Sequence, residues 1–548
     1  MEKMINKMNE YSLKRLYKDI NNKKIVLPAW QREFVWSTNQ IEKLFDSIYH
    51  GYPFGNIMLW ETSKDSDIFY EFLNNINYLT KKKTDTNIAV INYLDREHVY
   101  AVLDGQQRIT TLINVLFTDR IMIKDNNYSL FFNDKQEKFK LLKVDKDDKT
   151  DWYKVKDLFE NKNLNGKNNR KVSKTLQSIR ISPILFKGKI DDALEVFRRL
   201  NTSGTKLSNP EINISIIINK GKNFNIREII ETKRKKILKN YHIDLPLPFF
   251  VKAIVVCILD SVKYDENKVK DNVRLIQKNY KVLFECIENV CSFCYKNLHI
   301  HRVIKSYNML VPLVYYCYSN KCRLNSNISS GTKYYISICS IYGVFGGQSD
   351  NTLLKFKKYV DKKKKDSFTL KNIKKELEII TSHRIDIDEI NKMIKHQYCE
   401  DQTNAVLYLI YSRNKNFVYS DEFQQDHMHP KKYFSDIVLN GEEYKNSKYI
   451  FLIEEGMTRR DIKEIVTNKY WNKIPNLQLL LETENVSGKH SMAFDEWLYS
   501  DYKKRIDSTM PIRKKREFYK IANFIKFYKE REKILRNELK DILIKNKI

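Results

Sequence analysis

At 548 residues the chain exceeds what one hydrophobic core holds, and two to four domains are expected. Apolar residues make up 42%, with 34 Tyr and 28 Phe, which excludes a largely disordered protein. A net charge of +30, from 98 Lys and Arg against 68 Asp and Glu, attracts polyanions, nucleic acid first among them, although Lys, Asn and Ile are abundant along the whole chain. The first twenty residues lack the apolar stretch of a signal peptide, and no window reaches the roughly 18 apolar residues of a membrane span. A cytoplasmic protein without a membrane partner is expected.

Taken in chain order, Lys24-Ile25-Val26-Leu27 is a short apolar run stopped by Pro28. Ser37 to Gln40 reads as a capping box, with Ile41, Leu44, Phe45 and Ile48 following at helical spacing and Gly51 ending the helix. Asn56 to Trp60 reads as a strand. His98 to Leu103 is a second strand, running through Asp104-Gly105-Gln106-Gln107-Arg108 into a helix over Ile109 to Leu116. A strand, a glycine turn and a helix with Arg in its first turn make an anion site, because helix amides and dipole favour negative charge and Arg108 can grip phosphate with two donors. Asp104 in that place orients a donor, holds a metal or takes a proton. The alternative is a glycine turn beside a solvated Arg. Thr80 to Asn87, Asp145 to Thr150 and Asn161 to Lys171 are surface segments by composition.

These residues resemble the ParB/sulfiredoxin-like domain of the DUF262 family. The resemblance rests on DGQQR after a strand, on the upstream Trp30-Gln31-Arg32-Glu33-Phe34-Val35-Trp36, on the Gly51 to Gly55 turn, and on Phe197 to Leu207 with its Arg199, Asn201 and Gly204. It implies nucleotide binding, of GTP or ATP, with NTPase activity. The implied pocket holds Gln31, Arg32, Asp104, Gly105, Gln106, Gln107 and Arg108, with Arg199 and Asn201 near it. Asn209-Pro210-Glu211 opens the next helix.

From about 226 to 400 apolar residues recur at three- and four-residue steps, and a helical connecting region is expected. Cys286, Cys291 and Cys294, with His299 and His301, invite a zinc reading. Their helical spacing and the lack of a second Cys pair favour core thiols. Lys362 to Lys365 read as an exposed edge.

The C-terminal part, from about 401, carries Asp426-His427-Met428-His429-Pro430, then Asn476-Leu477-Gln478-Leu479-Leu480, then Asn485 to Lys489. Metal-assisted phosphodiester hydrolysis needs a base, oxygen ligands and cationic support. Asp426 and His427 supply a ligand and a base side by side. Asn485 offers a ligand oxygen at a helix start, Asn476 can cap the loop that presents His427, and Lys489 can meet a phosphate. Oxygen donors favour Mg²⁺ or Mn²⁺. His429 is open: it is a second metal ligand or a surface residue, and it shares a face with His427 if both are extended. The same residues resemble the HNH motif of the DUF1524 family, with Met428 at a place where Ile is common and an insertion expected between about 435 and 470. From Lys503 to the end, 16 Lys and Arg against 6 Asp and Glu accompany a helical apolar face of Ile521, Phe524, Ile525, Tyr528, Leu535, Leu539 and Ile542. Its charged side is a solvated face or a DNA-backbone contact.

The two ends together are similar to two-part DUF262–DUF1524 proteins such as the GmrSD type IV restriction enzymes and the phosphorothioate-dependent SspE nucleases. The expected fold is α+β: a ParB-like domain over 1–225, a helical connection over 226–400 and an HNH-bearing domain over 401–548. The expected activity is nucleotide-regulated, metal-dependent cleavage of foreign DNA, modified DNA above all, in anti-phage defence, with homo-oligomers allowed. The rival reading is a nucleotide-gated DNA-binding regulator with an idle nuclease part. Charge alone also leaves RNA open as the substrate.

Overall fold

The computed structural model describes residues 5–28, 30–31, 34–63, 69–70, 72, 76–78, 98–119, 121–123, 126–144, 151–202, 209–221, 224–347, 349–382, 384–413, 423–489, 492–501, 509–511 and 514–545. Arg32, the segments 80–87 and 145–150, and the side chain of Asn201 lie outside them. The fold is α+β, and the chain packs as two compact units. One comprises 1–235 with 264–278, the other 236–263 with 279–548. Residues 226–235 and 264–278 fall in the first, while most of the helical middle, 236–263 and 279–400, shares the second unit with the C-terminal part. The helix Asp401–Tyr411 and the last helix, Phe524–Leu543, are why: both bury apolar faces in that unit. Lys374 also donates to Leu543 O at 2.6 Å.

The first unit is built on a six-stranded mixed sheet. Its strands in chain order are β1 (Ile5–Lys7), β2 (Ile25–Pro28), β3 (Met58–Ser63), β4 (Phe69–Tyr70), β5 (His98–Asp104) and β6 (Ile184–Phe186). They lie in the order β1-β6-β3-β5-β2-β4. The central β5 is apolar on both faces, with Val99, Ala101, Val102 and Leu103 buried, as a covered strand requires. Trp30 and Trp60 pack against it, ring centroids 5.6 Å apart. A register shift sits where Met58 faces Asp104 but Leu59 faces Val102. Such bulges re-aim side chains, here at the end of the strand that carries Asp104.

One helix lies between β2 and β3 in the chain, and another follows β5. Helix α1 (Thr38–Tyr49) starts with the expected capping box: Gln40 N donates to Ser37 Oγ, and Ser37 N donates back to Gln40 Oε1 at 2.9 Å. Helix α2 (Gln106–Ile113) follows Gly105, whose φ of +95° and a Cβ position 2.9 Å from Ile57 Cγ1 leave no room for another residue. Further on, α3 (Ile190–Thr202) and α4 (Asn209–Lys220) form, the latter opening at Asn209-Pro210 as read. The 161–171 stretch is less loose than its composition suggests. Asn161 Oδ1 accepts from Ser173 and Gln177 of the helix Lys167–Ser178.

In the second unit the helices of the middle region are densely apolar. Cys291 and Cys294 are buried there, and burial pushes the Cys294 thiol up to about 12. They are core thiols, and among the described residues no group of three His, Cys, Asp or Glu is placed to hold a metal. The C-terminal part holds an antiparallel pair, β7 (Phe423–His427) and β8 (Leu477–Leu481), in which Asp426 faces Gln478 and His427 faces Leu477. A helical turn, Glu484–Lys489, follows β8. The insertion between the strands folds into two helices, Ser447–Glu454 and Arg459–Asn468. Helix α5 (Phe524–Leu543) joins two cores: Phe524 and Tyr528 pack on the insertion, and Phe527 packs with Met428, Leu480, Phe494 and Trp497.

Candidate functional site

In the first unit the DGQQR turn is tied down by its own side chains. Arg108 Nη2 donates to Asp104 Oδ2 at 2.7 Å, and Nη1 donates to Phe54 O at 3.1 Å. A Cβ on Gly55 (φ +90°) would lie 2.2 Å from Arg108 Nη1, so the Gly51 to Gly55 turn and the Arg are shaped to each other. Arg108 is therefore a clasp in this structure, neither solvated nor open to a phosphate. Gln31, expected at the nucleotide, is buried and donates to Val102 O at 2.7 Å and Leu103 O at 3.2 Å. Gln107 Oε1 accepts from Val35 N at 2.9 Å. These two amides tie Gln31 to β5 and Val35 to α2, which is why polar residues are tolerated inside. Gln106 is also buried. Arg199 pairs with Glu195 one turn back at 2.7 Å and stays 77% exposed.

In the second unit the residues separated by up to 63 positions meet. Lys489, expected to face a phosphate, has a side chain only 1% exposed. Its Nζ donates to Asp426 Oδ2 at 2.5 Å and to His427 O. Burial lowers its ammonium from the ordinary value, while Asp426 holds it up. Lys489 is thus a tether for the Asp426–His427 backbone and carboxylate. Gln478, across the strand pair, adds a 2.8 Å bond to the same Oδ2.

His427 faces a different set of groups. Its Nε2 meets Asn472 Oδ1 at 3.1 Å, and Asn472 Nδ2 donates to Gln397 Oε1 at 3.1 Å. With that amide oriented by Gln397, His427 Nε2 carries the hydrogen and Nδ1 keeps its lone pair. Tyr398 lies against the ring, centroids 4.4 Å apart. Burial holds the imidazole below its ordinary range; the Asn472 bond and Asp426 oppose this, and Lys489 and Lys431 add to it. The ring is neutral near pH 7, as a base must be.

Asn476 clamps the loop. Its Oδ1 accepts from His429 N at 2.9 Å, and its Nδ2 donates to His429 O at 2.9 Å and Trp471 O at 2.8 Å. His429 corrects the expectation of a surface residue. β7 ends at His427, so the two rings do not share a strand face. His429 is 1% exposed and is boxed by Phe494, Phe524 and Phe527 at 5.0–5.1 Å, with Nε2 unbonded. Desolvation pushes its pKa down to about 3. It is not a surface residue but part of the aromatic core.

Asp426 and Asn485 are the residues that could offer oxygens to a divalent ion. Both bonds to Asp426 go to Oδ2, and Asn485 donates through Nδ2 to Gln424 Oε1 at 3.4 Å. Each retains a hard oxygen outside these bonds, which suits Mg²⁺ or Mn²⁺ with the rest of the shell from water and phosphate. Asn472, Gln478, Tyr398 and Gln397 escaped the sequence reading. Only Gln478 left a trace, as one polar residue in an apolar strand.

Comparison with known proteins bears on the first unit. Residues 13–218 match the family described as GmrSD restriction endonuclease, N-terminal domain. A stretch of 111 residues, 20% of the chain, is 27% identical to an uncharacterized protein of Methanocaldococcus jannaschii. That match spans 18% of the relative's length. Among the described residues no helix is long and apolar enough to cross a membrane.

Proposed function

We propose that the chain is a restriction-type DNA endonuclease in which His427 is the general base of phosphodiester hydrolysis. The observation that carries this reading is the Gln397–Asn472–His427 relay, which leaves a neutral imidazole with Nδ1 free to take a proton, next to a carboxylate anchored by a buried cation. The two antiparallel strands followed by a helical turn suit a ββα-metal, HNH-type centre. In it His427 Nδ1 takes the proton of the attacking water. Asn476 holds the 427–429 backbone, and Lys489 keeps Asp426 and the His427 carbonyl in place. Asp426 and Asn485 would hold Mg²⁺ or Mn²⁺, which when bound neutralises charge on the leaving oxygen.

The +30 charge supports a nucleic-acid substrate, and the match of residues 13–218 favours foreign DNA over RNA. By the same resemblance the first unit senses GTP or ATP, or a DNA modification, and gates cleavage. Arg108 would have to leave its clasp to grip phosphate. The test is cleavage of modified and unmodified phage DNA of one sequence, with Mg²⁺ or Mn²⁺ and with or without GTP and ATP. His427→Ala is expected to lower cleavage by about 10²–10⁴-fold while DNA retention on a filter is unchanged. Equal cleavage by His427→Ala overturns the assignment.

A further inference from the structure

We infer that Arg531, in the basic C-terminal helix, is a positioning residue of the hydrolytic centre; the inference rests on the reading of His427 as base. Arg531 sits where the apolar face of α5 continues, between Tyr528 and Leu535, and is 0% exposed. Its Nη1 donates to three carbonyls of one loop: Ile474 O at 3.3 Å, Pro475 O at 2.9 Å and Leu477 O at 2.8 Å. Nε donates to Thr509 O at 3.2 Å, and Nη2 reaches Thr509 Oγ1 at 3.5 Å. A planar guanidinium fixes several acceptors at once, which a lysine ammonium on a flexible stem does not.

The choice of carbonyls is what gives this contact a role at the site. They flank Asn476, which itself bonds His429 N, His429 O and Trp471 O and accepts from Met428 N through its own carbonyl at 2.8 Å. Trp471 precedes Asn472, the partner of His427 Nε2. Arg531 therefore braces, from behind, the loop whose front holds both the backbone around His427 and the amide that sets its tautomer. Interior donors with defined partners hold catalytic groups to the tolerance that proton transfer needs. A basic helix that composition assigns to solvent or DNA thus puts one of its arginines into the support of the centre.

The experiment compares wild type, Arg531→Lys and the uncharged Arg531→Gln in the full chain, with His427→Ala alongside. Each is measured for kcat and KM with plasmid DNA across pH 5–9 and corrected for folded fraction. The expected result is a kcat loss of roughly tenfold to a hundredfold, smaller for Lys than for Gln, with KM for DNA unchanged. Unchanged kcat overturns the inference. So does loss of folding in both variants, which makes Arg531 a staple of the core alone. If wild type cleaves nothing, the reading of the centre has failed. The His427 imidazole ¹⁵N signals then decide the positioning role: a protonated Nε2 in wild type that becomes a tautomer mixture in Arg531→Lys supports it, and identical signals overturn it.

Discussion

Two carboxylate–cation pairs sit near strand ends in this chain, one in each unit, and they are built in opposite ways. Asp104 and Arg108 are four residues apart, joined across one helical turn, with side chains 39% and 15% exposed. Asp426 and Lys489 are 63 residues apart and almost sealed, at 11% and 1%. The first pair can open with less loss, since its carboxylate stays in contact with water and pairs that compete with water contribute about 0–1 kcal/mol. The second cannot, because separating it strands a charge in a low-dielectric interior. On the proposed function, the difference suits one site that responds to a ligand and another that holds a base still.

Removing the buried cation is the strongest way to break this contrast. Lys489→Met is expected to destabilise the second unit by about 3–5 kcal/mol, read by urea denaturation. Adding Asp426→Asn to it should recover part of the loss, because the stranded charge is gone. Arg108→Met should cost no more than about 1 kcal/mol. Equal costs for Lys489→Met and Arg108→Met would mean that the two pairs are alike and that the buried one is already open to water.

Acid sharpens the comparison through a neighbour. His429 is held neutral among three phenylalanines, with a pKa of about 3 against an ordinary 6.5. A histidine depressed by folding binds its proton more weakly than in the unfolded chain. Stability is therefore full above about pH 6.5 and falls as pH drops toward 3. At pH 4 the loss is on the order of 3 kcal/mol. His429→Phe should flatten that slope in urea titrations between pH 7 and 4. A slope like that of wild type would show that the ring is hydrated.

How far these two regions were legible in the sequence follows from the same contrast. The first is local: the capping box at Ser37, the strand into Gly105 and the helix after it are contiguous patterns, and each formed within a few residues of its expected bounds. What local pattern could not say was that Arg108 closes on Asp104 and Phe54, or that Gln31 and Gln107 turn inward. The second region depends on pairings of 45 to 75 positions, such as His427–Asn472 and Asn472–Gln397. Asp426, His427 and Asn476 were readable as a set of chemical types. The buried state of Lys489 and His429 was not, because a Lys after a helical turn and a His before Pro look the same in water as in a core. Arg531 was hidden for the same reason: it counts as one more positive charge until the loop it braces is in view.

The smallest expected effect tests how soft the exposed clasp is. Gly51 and Gly55 both have positive φ, +72° and +90°, in the same turn. A Cβ on Gly51 meets nothing within 4 Å, while one on Gly55 lands 2.2 Å from Arg108 Nη1. Gly51→Ala therefore measures the backbone term alone, about 1–2 kcal/mol. Gly55→Ala adds only the displacement of a guanidinium at the end of a flexible side chain. If the Asp104–Arg108 clasp yields as an exposed pair should, Gly55→Ala exceeds Gly51→Ala by less than about 1 kcal/mol in thermal melts. A much larger excess would show that Arg108 is locked as firmly as Lys489, and the first unit would then need another residue to open toward an anion.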